Sequence, residues 1–190
     1  VEELLNRSAL SNAETALENL DQEQINNPYL NFVKGRLAWQ FIQKGDTRYT
    51  IDDARRYWEL AAHNDPGSFL YQNALGFAYY AEGNLNRAND SWFKAVELSF
   101  RMTVKSTDAD KDTLTAYAGI ALSLYQLSQN KPSELKTKYL SEAINLRQKV
   151  MKDNSEKFKK DSLAQDWLWT KKAIKDWQSL LKIDPDSIED

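Results

Sequence analysis

The segment Asn73-Ala-Leu-Gly-Phe-Ala-Tyr-Tyr80, followed by Ala88-Asn-Asp-Ser-Trp-Phe-Lys-Ala95, carries the strongest structural signal in the chain. In its second part, Ala, Trp and Ala are spaced by four and then three residues, which places them on one face of a helix. The same three residue types occur 34 residues earlier, as Ala54, Trp58 and Ala61. A shared spacing at a fixed shift indicates an internal repeat built from helices.

Three glycines interrupt apolar segments that are otherwise typical of helices: Gly35, Gly76 and Gly119. A glycine in a helix interior destabilises the helix by about 1 kcal/mol relative to alanine. We therefore expect each glycine to lie where a neighbouring helix approaches closely and leaves no room for a side chain.

The second of the two repeats resembles the tetratricopeptide repeat, a helix–turn–helix unit of about 34 residues. The positions that carry this resemblance are Leu75, Gly76, Tyr79, Ala88, Trp92 and Ala95. The resemblance implies an all-α fold, a right-handed α-solenoid with about eight or nine helices. In that family the first helices of the units line a concave groove that holds a peptide, and the second helices form the outer layer.

The resemblance predicts a single domain over residues 1–190. Its parts are an N-terminal helix or half-repeat at 1–27, repeats at 28–66, 69–102 and 111–152, and a degenerate fourth repeat or capping helices at 155–186. The first repeat departs from the family pattern with Lys34 before its glycine and with about seven extra residues around Thr47–Asp53, which we interpret as a longer loop. Apolar periodicity predicts helices at 2–22, 29–44, 51–64, 68–82, 86–99, 111–129, 133–152, 156–170 and 171–182.

The N-terminus and one connection are less regular than the central repeats. Second-helix spacing occurs again at Ala13, Leu17 and Leu20. Ser11 and Glu14 predict a capping box at the start of that helix. The polar stretch 101–112 is predicted to be either a mobile loop or an extension of the helices beside it.

The composition excludes several classes of protein. The chain has 190 residues and a formal net charge of −3 with interleaved signs, so nothing in it attracts nucleic acid. It has no cysteine, which excludes disulfides and thiolate chemistry. It also has no run of about 18 apolar residues that would insert into a membrane. Because the chain begins with Val1 and not with Met, we expect it to be a piece of a longer protein. No signal-peptide pattern opens the sequence. The sequence does not determine the cellular compartment, and the cytoplasm is weakly favoured.

The sequence offers few groups for catalysis or metal binding. His63 is the only histidine, so no histidine-based metal cluster can be assembled. The motif Asp108-x-Asp110-x-Asp112 resembles the first half of a calcium loop, but Thr113 and Gly119 occupy the positions that require Gly and Glu. No Gly-rich phosphate loop is present. We therefore predict no catalytic residue, no cofactor and no metal, and we do not expect an enzyme.

The first helices supply the candidate binding residues. The groove positions implied by the resemblance are Tyr29, Phe32, Arg36, Trp39, Gln40, Asn73, Phe77 and Tyr80. This set is aromatic and mainly apolar, with one cation suited to a carboxylate or phosphate. The charged clamp with which some members of the family hold chaperone C-termini needs several Lys, Arg and Asn residues, and only Arg36 and Asn73 match it. An apolar or amphipathic segment is therefore the better expectation for the partner.

The favoured function is a protein- or peptide-binding scaffold module whose partner and oligomeric state the sequence leaves open. The alternative is a regulatory or structural segment of a larger signalling protein, for example a kinase or a membrane-attached protein, that packs against its own neighbouring domain. Trp167 and Trp169 suggest either a stacking platform for bases or sugars or ordinary packing between helices, and the acidic composition favours packing.

Overall fold

The computed structural model describes residues 1–20, 26–102, 107–129 and 132–188, and this part of the chain is all-α, as predicted. Its ten α-helices are α1 (Glu2–Asn6), α2 (Leu10–Glu18), α3 (Pro28–Gln43), α4 (Ile51–Asn64), α5 (Phe69–Ala81), α6 (Leu85–Met102), α7 (Thr107–Gln129), α8 (Ser133–Asn154), α9 (Lys160–Gln165) and α10 (Lys171–Leu181). A short 3₁₀ helix, Pro185–Ile188, follows α10. Within this described part, no helix is both long and apolar enough to cross a lipid bilayer.

Helices that are neighbours in the sequence pack against each other all the way from α3 to α8. In addition α5 contacts α7, so alternate helices of the stack also meet. One apolar cluster runs through these contacts and extends from Leu5 in α1 to Leu180 in α10. The chain therefore folds around a single continuous core.

Side-chain caps fix where several helices begin. Asn27 Oδ1 accepts a hydrogen bond from Leu30 N at 3.0 Å, and Pro28 occupies the first helical position of α3. At α4, Asp53 N donates to Thr50 Oγ1 and Thr50 N donates to Asp53 Oδ2, which completes a capping box. The predicted starts of α3 and α4 consequently agree with the structure to within one residue.

The repeated tryptophans are buried against the glycines of the neighbouring helices. A Cβ atom added to Gly35 would overlap the indole ring of Trp58, and one added to Gly76 would overlap that of Trp92. A Cβ atom on Gly119 would meet the same Trp92 ring from α7. The prediction that these glycines mark close contacts between helices is confirmed, and Trp92 is enclosed by α5 and α7.

The N-terminal region differs from its prediction. The helix expected over 2–22 is two helices, because Ser8 adopts a left-handed conformation (φ 57°) between α1 and α2. The capping box predicted for Ser11 is wrong, since α2 begins at Leu10, which places Ser11 inside the helix, and its N-cap, Ala9, forms no side-chain cap bond. Of the residues with second-helix spacing, Ala13 and Leu17 are buried in α2, whereas Leu20 lies beyond the end of α2 and is 52% exposed.

The connection between α6 and α7 is shorter than the polar stretch 101–112 suggests. The helix α6 continues to Met102 and α7 begins at Thr107, so the described residues of this stretch extend the adjoining helices. Residues 103–106 lie outside the described part of the chain, as do the side chains of Asp108 and Asp110 in the partial calcium-loop motif.

The C-terminal region returns to the first helices of the stack. Of the helix predicted over 156–170, only Lys160–Gln165 is helical. Asp166 ends α9 in an extended conformation, and its Oδ1 accepts a hydrogen bond from Leu168 N at 3.0 Å, which forms a turn. The following helix α10 packs against α7 as well as α8 and α9. This turn brings residues 166–176, here called the C-terminal segment, over α3 and α5.

Candidate peptide-binding cleft

The structure buries most of the side chains predicted to line an open groove. Six of the eight are at most 8% exposed: Phe32, Arg36, Trp39, Asn73, Phe77 and Tyr80. Gln40 is half-buried, and Tyr29 is exposed over 51% of its surface. The Asn73 amide lies between helices, where it donates to the Asp112 carbonyl oxygen of α7 at 3.1 Å. The other five buried side chains contact the C-terminal segment.

Trp167 covers the first-helix residues of α3. Its ring packs edge-on against Phe32 with the centroids 6.1 Å apart. The guanidinium carbon of Arg36 lies 4.6 Å from the Trp167 ring centroid, a cation–π contact. Arg36 also donates to Asn6 Oδ1 of α1 at 2.6 Å. Arg36 thus links the N-terminal helices, α3 and the C-terminal segment.

Side chains of α3 also hold the backbone of the C-terminal segment. Trp39 Nε1 donates to the carbonyl oxygen of Leu168 at 3.3 Å, and Gln43 Nε2 donates to that of Trp167 at 2.5 Å. Neither accepting residue is helical. A face of α3 therefore provides donors for the main chain of a non-helical polypeptide, which is how proteins commonly hold an extended peptide.

On α5, the aromatic residues of the predicted groove contact the rest of the segment. Phe77 packs against Trp169 with centroids 5.2 Å apart. Tyr80 Oη donates to Asp176 Oδ2 at 2.7 Å, and Lys172 Nζ donates to the same oxygen at 2.7 Å. Burial, together with the hydrogen bond to Asp176, raises the pKa of the Tyr80 phenol well above its usual value. The phenol therefore remains a donor throughout the neutral pH range.

A half-open cleft of about 820 Å³ remains beside the C-terminal segment. Three parts of the chain form its walls: Asn6 and Ser8 around the end of α1, residues between Arg36 and Gly45, and residues between Ala164 and Ile174. The cleft is of the size that proteins use to hold a ligand or a short peptide segment. It is thus built jointly by the end of α1, by α3, and by the chain from the end of α9 into α10.

Several buried polar atoms of the cleft residues lack a hydrogen-bond partner within the described chain. They are Arg36 Nε, Trp169 Nε1 and Gln40 Oε1. Burial lowers the pKa of Arg36 from its usual value, and the nearby Glu2 carboxylate opposes that shift. A guanidinium nevertheless stays protonated in proteins. The cleft therefore contains a partly dehydrated cation beside a neutral donor and a neutral acceptor.

The cations of the lining residues outnumber the carboxylates. Lys44, Lys171 and Lys172 accompany Arg36, while Asp166 is the one carboxylate among the described lining residues. Lys172 is paired with Asp176, which does not line the cleft. Lys44 Nζ donates to the backbone oxygen of Ser8 at 3.0 Å. An excess of positive charge therefore faces the opening.

The C-terminal wall of the cleft was not predicted from the sequence. Trp167 and Trp169 were expected to pack, and both do, but from a turn between α9 and α10 and not from a helix. Two residue types in the sequence could have located this turn. Asp166 is a turn-forming residue that accepts a hydrogen bond from Leu168 N, and Thr170 is a helix N-cap that accepts one from Ala173 N.

Comparison with known proteins assigns no family. No protein-family model matches the chain, and no curated protein matches it at a significant level.

Proposed function

We propose that the chain is a protein- or peptide-binding module built as a right-handed solenoid of tetratricopeptide-like helical pairs. Three features support this architecture: the 34-residue recurrence of the Ala-Trp-Ala spacing, the glycines that the tryptophans contact, and the packing of each helix on the next from α3 to α8. Binding is proposed in place of catalysis because the cleft residues supply neither a nucleophile paired with a base nor a cluster of metal ligands.

One observation carries the proposal: the α3 face that borders the cleft already binds non-helical polypeptide. Trp39 and Gln43 hold two backbone carbonyls of the C-terminal segment. Gln40 lies between them in the sequence and lines the cleft, and its buried Oε1 has no partner in the described chain. A peptide that enters the cleft therefore lies beside the segment that α3 already holds.

A peptide-display selection on the purified chain tests the proposal. The blocking variant is Ala164→Trp, because Ala164 lines the cleft and is exposed, so a large side chain there fills the opening without disturbing the core. The matched control is Ser162→Trp, which places the same ring on the same helix at an exposed position outside the lining.

We expect the wild type and Ser162→Trp to enrich the same peptides. With Ala164→Trp, the enrichment of those peptides should fall by about tenfold or more, because a blocked cleft loses most of the contact area that it buries with a peptide. Equal enrichment by all three proteins would show that peptides bind elsewhere and would contradict the cleft. A failure of the wild type to enrich any peptide would contradict the binding module as a whole.

A further inference from the structure

The cleft presents hydrogen-bond donors and cations in excess of what the chain itself satisfies. Arg36 is 8% exposed and Trp169 is 2% exposed, and both line the cleft. Arg36 Nε and Trp169 Nε1 have no hydrogen-bond partner within the described chain. A buried donor without an acceptor is costly, and it is rare in a finished protein interior. Both donor atoms are enclosed by the described chain, as is the unpartnered Trp92 Nε1 in the core, so the charges at the opening, and not these donors, indicate a ligand.

The charges around the opening specify the kind of acceptor. Lys172 is neutralised by Asp176, so Arg36, Lys44 and Lys171 face a single lining carboxylate, Asp166. Glu2 acts on Arg36 from outside the lining and reduces the local excess without removing it. Lys44 and Lys171 are exposed residues from two different parts of the chain that line the cleft, so both can meet an incoming peptide. A neutral peptide would leave these cations uncompensated.

We propose, on the basis of the binding function above, that the cleft recognises an acidic peptide segment whose carboxylates pair with the cations that line it, Arg36, Lys44 and Lys171. A carboxylate that reaches the Arg36 guanidinium forms a stronger hydrogen bond than an amide would, because the donor and the acceptor are both charged. The outer lysines act at longer range, so they increase the association rate and make binding sensitive to salt.

This arrangement differs from a clamp formed by successive first helices. Of the residues proposed here, only Arg36 belongs to a first helix of a central repeat, while Lys171 comes from the C-terminal segment. Lys44 follows the end of α3 and is tied to the N-terminal helices through Ser8. The proposed site therefore depends on the closure of the C-terminal segment over α3.

The test uses two fluorescently labelled pools of ten-residue peptides that share the same random positions. One pool has Asp or Glu at alternate positions, and the other has Asn or Gln at those positions. We expect the wild type to bind the acidic pool about tenfold more tightly than the amide pool in fluorescence anisotropy, with the difference shrinking as NaCl is raised from about 0.1 to 0.4 M.

The charge variant is Lys44→Gln with Lys171→Gln, and the control, Lys160→Gln with Lys175→Gln, removes the same net charge from exposed positions outside the lining. We expect the first variant to bind the acidic pool about tenfold more weakly and the control to stay within about twofold of wild type. All four lysines are exposed, so neither variant should fail to fold.

The outcomes separate this inference from the binding function on which it rests. If both pools bind equally and Ala164→Trp abolishes both, the cleft binds peptides without charge selection, and the acidic preference is overturned. Equal weakening of the acidic pool by the two lysine variants would also overturn it, because net charge and not the cleft would then be responsible. If neither pool binds while the display selection enriches apolar peptides, the module stands and the acidic partner is excluded.

Discussion

At the scale of single residues, Trp92 shows how a glycine can be required inside a helix. The ring is 0% exposed and is faced by Gly76 of α5 on one side and Gly119 of α7 on the other. Because both neighbours are helical backbone, the ring has no direction in which to retreat when either glycine gains a side chain. Each glycine destabilises its own helix relative to alanine, and this loss allows the helix backbone to lie directly against the Trp92 ring.

Gly76→Ala should therefore destabilise the protein although alanine is the better helix former. The overlap of the new methyl group with Trp92 is expected to lower the free energy of unfolding by about 1–3 kcal/mol. Urea unfolding followed by far-UV circular dichroism measures the change. The control is Gly67→Ala, where the new methyl group meets only a side-chain oxygen at ordinary distance, 3.5 Å, and the unfolding midpoint should hardly move. Equal midpoints for the two variants would show that the ring adapts.

At the scale of helices, the central helices α3, α4 and α5 were predictable because their signals are local. Apolar spacing and capping residues lie within a few positions of each boundary, so α3, α4 and α5 start where the sequence predicts, to within a residue. The break at Ser8 was not predictable, because a left-handed serine leaves no pattern in the apolar spacing. Glu14 was assigned to a capping box, whereas its partners lie 34 and 35 residues away at Arg48 and Tyr49.

These distant bonds lead to a prediction about how α2 is held. Glu14 accepts hydrogen bonds from Arg48 at 2.7 Å and Tyr49 at 2.8 Å, in the connection between α3 and α4. Glu14→Gln weakens both bonds, and we expect a loss of about 1 kcal/mol in the free energy of unfolding. Hydrogen exchange measured by mass spectrometry should become faster in α1 and α2. Glu18→Gln removes the same charge from an exposed site on the same helix and should leave exchange unchanged. Unchanged exchange in the Glu14 variant would show that apolar contacts alone hold α2.

At the scale of the whole molecule, the sequence predicted which side chains meet on the inner face of the helices but not what covers them. The contact between Trp39 and the Leu168 carbonyl joins residues 129 positions apart, and no local pattern encodes such a pairing. The three side chains Trp39, Phe77 and Tyr80 are at most 1% exposed, so truncating them would remove core packing and would not test a binding surface. The accessible part of the site is the cleft at the edge of the C-terminal segment.

The closure by the C-terminal segment has a consequence for folding. In an open repeat array each unit contacts only its neighbours, so the ends unfold more readily than the middle. Here Trp169 is 2% exposed and packs against Phe77 of α5, as well as against Trp177 of α10 at 6.1 Å. We therefore expect amides of α3 and α10 in the wild type to exchange hydrogen with similar free energies of opening, as one cooperative unit.

Trp169→Ala should separate the two ends of the molecule. Removing this ring from the core is expected to lower the free energy of unfolding by about 3–5 kcal/mol. Because the lost contacts are those that join α10 to the first helices, amides of α10 should exchange much faster than those of α3 in the variant. Phe93→Ala truncates an aromatic residue that is 59% exposed, and it should change neither stability nor exchange appreciably.

If amides of α10 already exchange far faster than those of α3 in the wild type, the C-terminal segment is only weakly bound to α3 and α5. The cleft wall formed by Trp169 and Lys171 would then open independently of the repeats, and the binding residues of α3 would be accessible without a change in the core.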